Sequence, residues 1–202
     1  QLHADQLHAF LPIEYEKAIE ILIRILGPIN PHEIGMFKVY GWIMPIGAFV
    51  ETYGLDHLDI SLSAIEAITQ RNTGEYAIRP FIRRYPDQSL QRIQAWAVSD
   101  NFHLRRLASE GLRPKLPWAT KLDTFISNPE PVFDILNKLK EDEILFVKTS
   151  VANHLTDWLK VNPAAALDLI QAWRRIDNPH TKWILKRAMR KIPIAQKETE
   201  TT

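Results

Sequence analysis

The feature that most constrains this chain is a recurrence of helix starts. Prolines at 86, 129 and 163 are separated by 43 and then 34 residues, and the same two offsets carry Arg105 onto Lys148 and then Lys182. They also carry Glu110 onto Asn153 and Arg187. Asp100, Asp142 and Asp177 precede each of these basic positions at a nearly constant interval, and Trp96 and Trp173 each lie ten residues after their proline. Proline suits the first helical position because its missing N–H is one that the first turn leaves unbonded anyway. A two-helix unit of about 40 residues is the period of HEAT-type repeats. The surplus length of the first unit falls at 113–123, which places Trp118 on an insertion between helices.

Apolar spacing supports the same reading. Ala18, Ile21, Leu22 and Ile25 follow the i, i+3, i+4, i+7 rhythm of a helix face, as do Val132, Ile135, Leu136 and Leu139, while Val147, Val151, Leu155 and Trp158 keep to one face. Further helix entrances are expected at Pro12, Asn30-Pro31 and Asn178-Pro179. The expected fold is all-α, roughly ten to twelve helices at typical length, arranged as a HEAT-like solenoid. Second helices of stacked pairs line one concave face, so the recurring basic residue predicts a positive stripe there. The 202 residues are read as one domain: acidic helices at 1–70, a basic repeat region at 71–192 and a tail at 193–202.

That division rests on charge. Residues 1–70 hold three basic against nine acidic side chains, and residues 71–192 hold 21 against 13. A basic region of this size points to a polyanionic partner; an ordinary solvated helix surface is the alternative. The absence of cysteine excludes disulfides, thiol nucleophiles and cysteine-based metal sites. The apolar runs at 19–26 and 41–50 are too short to cross a bilayer, and no signal-peptide pattern opens the chain. A cytoplasmic location is the corresponding expectation. No HExxH, P-loop, GxGxxG or GxSxG occurs, so metal, nucleotide and ordinary hydrolase chemistry lack their signatures.

Within the basic region, residues 105–118 read RRLASEGLRPKLPW. Two arginines, a lone carboxylate beside glycine and a tryptophan in a proline-rich segment are more than a core helix requires. Three acids warrant weighing. Glu75 can be a helix-start acid with Arg79 one turn on, and Glu110 can pair with Arg106. Asp157, late in a helix, is electrostatically unfavoured there. Trp118 can bury its ring or present it. Trp42, Trp96, Trp158, Trp173 and Trp183 sit mostly in packing registers.

Taken together, TGEYAIRPFI at 73–82, WAVSDNFHLRRLASEGLRPKLPW at 96–118 and FVKTSVANHLTDW at 146–158 resemble the DNA alkylation repair glycosylases of the AlkD/AlkC superfamily, closest to the AlkC branch. The resemblance covers about half the chain, from Thr73 to Trp173. It implies a solenoid that cradles duplex DNA and hydrolyses the N-glycosidic bond of alkylated cationic bases, with 3-methyladenine and 3-methylcytosine as leading substrates. By motif it assigns Glu75, Glu110, Trp118 and Asp157 to catalysis. Arg105, Arg106, Arg113, Lys148, Lys182 and Arg187 are the candidates for gripping the DNA backbone. No metal, no cofactor and a monomer are expected. The competing readings are a non-catalytic module for unusual DNA structures and a protein-interaction scaffold.

Overall fold

The computed structural model describes residues 2–34 and 37–191, so the tail at 193–202 lies outside the described residues. In chain order the helices are α1 (Leu2–Phe10), α2 (Tyr15–Arg24), α3 (Phe37–Tyr40), α4 (Met44–Tyr53), α5 (Leu58–Thr69), α6 (Ile78–Arg84), α7 (Pro86–Trp96), α8 (Phe102–Glu110), α9 (Glu130–Leu139), α10 (Leu145–Val161), α11 (Pro163–Arg174) and α12 (Pro179–Ala188). Short 3-10 turns precede α4 and follow α12. No strand occurs among the described residues, and none of their helices is long and apolar enough to cross a membrane.

The repeat is physical. α7–α8, α9–α10 and α11–α12 form successive pairs, with α8 packed on α10, α10 on α12, and α5 continuing the row against α8. The first helices make a second layer in which α7 meets α9. Between the layers lies an apolar core that includes Phe81, Leu136, Trp158, Ile170 and Trp173. Phe133 meets Trp158 edge to face at 5.1 Å. Two of the recurring tryptophans bond into the preceding unit: Trp96 Nε1 donates to Glu66, and Trp173 Nε1 donates to Asn137 Oδ1 at 2.7 Å. Of the five expected to pack, Trp42 is instead half exposed.

Asparagine caps set the helix starts. Asn101 accepts from the N–H groups of His103 and Leu104, Asn162 from Ala165, and Asn178 from His180 and Thr181. Each cap is worth about 1 kcal/mol against alanine. Pro86, Pro163 and Pro179 occupy first helical positions, and α9 begins immediately after Pro129. Pro12 and Asn30-Pro31 do not open helices. Pro12 lies in the turn before α2. Asn30, almost fully buried, accepts from His32 N at 3.0 Å and donates to Ile34 O at 2.8 Å. Its backbone bonds Gln70 O and His103 Nε2. The asparagine is thus consumed in closing a loop onto α5 and α8.

The recurring charged positions are also partly consumed inside the fold. Arg105 Nε donates to Asp142 Oδ2 at 2.6 Å, and its Nη1 donates to the carbonyls of Ser99 and Asp100. Lys182 pairs with Asp177 at 2.5 Å on the surface. The register therefore ties one unit to the next as well as repeating a charge.

Candidate functional site

Beneath the segment singled out in the sequence, five charged side chains alternate in sign. Glu75, from the turn before α6, accepts from Thr73 Oγ1 at 2.6 Å and from Arg106 of α8. Arg106 also lies 3.5 Å from Glu110 Oε1. Glu110, at the end of α8, accepts from Arg113 Nη1 at 2.6 Å and Ser150 Oγ at 2.5 Å. Arg113 Nε then donates to Asp157 Oδ2 of α10 at 2.8 Å. The three carboxylic residues are 8%, 5% and 4% exposed. Formally the series holds three negative and two positive groups, and the buried Arg79 beside it brings the charges into balance.

Glycine makes this junction possible. A Cβ on Gly111 would stand 2.9 Å from Ile78 Cγ2, so only glycine lets α6 approach the end of α8 this closely. On that approach Arg79 spans the gap. Its Nη1 donates to Gly111 O at 3.3 Å and Arg113 O at 2.8 Å, and its Nη2 to Thr120 O at 2.7 Å. Arg83 adds a 2.6 Å bond to Thr120 Oγ1. The sequence offers Arg79 as the one-turn partner of Glu75. The structure instead spends it on loop carbonyls, and Glu75 is paired across helices by Arg106.

The loop so fastened carries Trp118, which is 96% exposed and has φ 60°. A left-handed backbone under a bulky side chain is strained, and such strain persists where the surroundings dictate it. Trp118 lines two clefts. The wider, about 650 Å³, includes Asn72, Glu75, Arg106 and Phe146 in its wall. The narrower, about 370 Å³, includes Glu51, Arg79, Arg83 and Thr120. Met44, Thr73, Tyr76 and Trp118 border both. Glu110 and Asp157 lie behind these clefts and line neither.

The carboxyls differ in acidity. Burial pushes Asp157 up, and the Arg113 bond only partly offsets it. Burial acts in the same direction on Glu110, but Arg106 and Arg113, with the Ser150 bond, outweigh it and leave this carboxyl below its ordinary value. Burial lowers Arg79 to about 10, and Arg83 and Arg113 add to the effect. His154, wholly buried, is held neutral by burial and by the same two arginines, Arg113 and Arg79. Two environments thus push the acidities of neighbouring carboxyls apart, Glu110 down and Asp157 up.

The six basic candidates separate into two groups. Arg106 and Arg113 belong to the buried network, and Arg105 is locked to Asp142. Lys148 lies on the row of second helices with its Nζ 3.2 Å from His180 Nδ1 and 5.5 Å from the Trp183 ring centre. Arg187 stacks on the same ring at 5.4 Å, and Lys182 is exposed. Sequence reasoning missed Thr73, Ser150 and the loop-anchoring role of Arg79. Nothing in a linear pattern marks a serine 40 residues from its carboxylate. Among the described residues no group of three or more His, Asp or Glu is placed to hold a metal ion.

A helical solenoid with this network beneath an exposed tryptophan defines a class that the comparisons identify. Residues 56–192 match the DNA alkylation repair enzyme family, and the chain belongs to that family. The uncharacterised protein YhaZ of Bacillus subtilis (strain 168) is 40% identical over 186 residues, covering 92% of this chain and 49% of its own length. The structure of the alkylpurine DNA glycosylase AlkC of Pseudomonas fluorescens, bound to DNA containing an abasic site analogue, matches at a TM-score of 0.80 and 37% identity. The match covers 93% of this chain and 50% of that one. AlkD2 of Streptococcus mutans shares the HEAT-like all-α fold, at a TM-score of 0.56 and 21% identity over 95% of this chain and 89% of its own. The chain spans about half the length of the first two.

Proposed function

We propose that this chain is a monofunctional DNA glycosylase that releases alkylated, cationic bases from duplex DNA, with 3-methyladenine and 3-methylcytosine as substrates. The observation that carries this reading is the buried series Glu75, Arg106, Glu110, Arg113, Asp157 beneath Trp118, three carboxyls gathered inside a basic solenoid. Carboxyls repel DNA phosphate, so gathering three of them in a basic solenoid suits a site that stabilises something cationic.

Alkylation at a ring nitrogen supplies that cation. The base leaves with the C1′–N electron pair and becomes neutral, while the deoxyribose takes on oxocarbenium character. Carboxylates in a low-dielectric site stabilise this charge at no reorganisation cost. Glu75, on the wall of the wide cleft, is assigned to the sugar. Glu110, the most acidic of the buried pair, supplies field and holds Arg113 in place. Asp157, which lines neither cleft and has an Oδ1 without a partner among the described residues, is assigned to accept the proton of the water whose oxygen bonds to C1′, a role that requires the site to open to it on the DNA. Trp118 lies against the cationic base or sugar, a contact worth roughly 0.5–2 kcal/mol. Lys148, Lys182 and Arg187 contact phosphate, while Arg105, Arg106 and Arg113 order the interior. The protein acts as a monomer, since stacked repeats need no partner to close a core.

The test is base release. Purified protein in EDTA is incubated with methylated duplex DNA, and freed bases are identified by chromatography beside a Glu110→Gln control. Release of 3-methyladenine or 3-methylcytosine by the wild type alone supports the proposal. Tight, salt-sensitive DNA binding without release replaces it with a structure-recognising module.

A further inference from the structure

We infer that the narrower cleft, which Trp118 lines and Glu75 does not, is a binding site for the free nucleobase product. This inference rests on the glycosylase reading above. The cleft, about 370 Å³, has the size of a small-molecule site, typically about 300–1,000 Å³. Its walls carry one acceptor and one donor of the kind that an aminopurine or aminopyrimidine edge satisfies.

The acceptor is Glu51 of α4. It is half-buried, lines the cleft, and forms no hydrogen bond or ion pair with any other described residue. Burial raises its carboxyl, and the positive charge of Arg83 across the cleft only partly offsets it. The donor is Arg83 of α6. Its Nη2 is engaged with the carbonyl and hydroxyl of Thr120 and with Lys121 O, which fixes the guanidinium, while Nε and Nη1 have no partner among the described residues. A planar base placed between them donates its exocyclic N–H to Glu51 and accepts at a ring nitrogen from Arg83. Trp118 offers its indole as a stacking wall. The two clefts share Met44, Thr73, Tyr76 and Trp118, so a base leaving the sugar beside Glu75 has only that common border to cross. The acidic N-terminal helices thereby contribute a working residue to a site otherwise built by the repeats.

The test is isothermal titration of the protein with free 3-methyladenine, using 2-deoxyribose as a control ligand, on the wild type, Glu51→Gln and Glu75→Gln. Saturable binding that weakens about tenfold in Glu51→Gln and persists in Glu75→Gln is expected, because a charge-assisted hydrogen bond becomes a neutral one. Binding lost in Glu75→Gln but kept in Glu51→Gln places the base in the wide cleft and overturns the inference, as does the absence of saturable heat in the wild type. Unchanged melting temperatures establish that the variants fold. If the protein also releases bases, added 3-methyladenine should inhibit the wild type at lower concentration than Glu51→Gln. Since the titration needs no turnover, failure of the glycosylase reading would show as missing release with or without binding.

Discussion

Arg113 joins Asp157 across 44 residues of sequence, Nε to Oδ2 at 2.8 Å, and with its other arm holds Glu110 at 2.6 Å. One buried guanidinium therefore fixes the end of α8 against α10 and sets the relative placement of two carboxyls. Removing one partner of a buried, hydrogen-bonded ion pair leaves a charge without compensation, which costs about 3–5 kcal/mol. Arg113→Ala should lose stability of that order in urea titration and lose base release. Arg113→Lys keeps the charge but not the two-armed geometry, so it should recover part of the stability and less of the activity. Equal loss of both properties in the two variants would reduce Arg113 to a counter-charge.

The network was only partly legible from the chain. Helix rhythm and the 43- and 34-residue offsets suffice for stacked pairs because they depend on local periodicity, which sequence records directly. Glu110 and Gly111 stand out as a pair, and the structure explains the glycine by the 2.9 Å approach of Ile78 to its hypothetical Cβ. Ion pairing is different. Glu75 has an arginine one turn away at Arg79 and a second at Arg106, and local spacing favours the first. The fold selects Arg106 because Arg79 is already committed to the carbonyls of Gly111, Arg113 and Thr120. The same holds for Arg105 and Arg113, offered by sequence as candidates for gripping DNA, because nothing linear shows that Asp142 and Asp157 reach them from the next repeat.

The split acidity of Asp157 and Glu110 predicts opposite contributions with pH. Glu110 is more acidic folded than unfolded, so its contribution to stability is present above the ordinary glutamate value, about 4.3, and is lost as pH falls through its lowered folded value. Asp157 is less acidic folded, so its ionisation costs stability as pH rises through its raised value. Under the proposed mechanism activity follows Asp157, since only the carboxylate accepts a proton. Single-turnover base release should therefore fall on acidification with a midpoint above 3.8, the ordinary aspartate value. A rate that stays flat down to that value would remove Asp157 from proton transfer.

Trp118 separates function from folding. An exposed side chain on a left-handed backbone contributes almost no packing, and substitutions at such surface positions change stability by about 0.5 kcal/mol or less. Trp118→Gly relieves the backbone strain and should melt at or slightly above the wild-type temperature. If the indole holds the cation in the transition state, losing about 2 kcal/mol slows release roughly thirtyfold. A large drop in melting temperature would instead make the ring a structural element.

Salt dependence distinguishes the basic residues that face DNA from those that serve the fold. Each phosphate contact releases condensed counterions, so losing one lowers the slope of log affinity against log salt by about 1. Lys148→Ala and Arg187→Ala should each lower the slope by that amount, and the double variant by about twice as much, because both side chains stack on Trp183 and neither forms an ion pair with a described residue. Arg105→Ala should leave the slope unchanged and lower stability, since its guanidinium is spent on Asp142 and on the carbonyls of Ser99 and Asp100. Fluorescence anisotropy of a labelled duplex from low to moderate salt gives the slopes, and urea titration gives the stabilities. An Arg105→Ala slope reduced as much as that of Lys148→Ala would mean that the Asp142 pair opens on the DNA, and that the repeating basic register grips phosphate along its whole length.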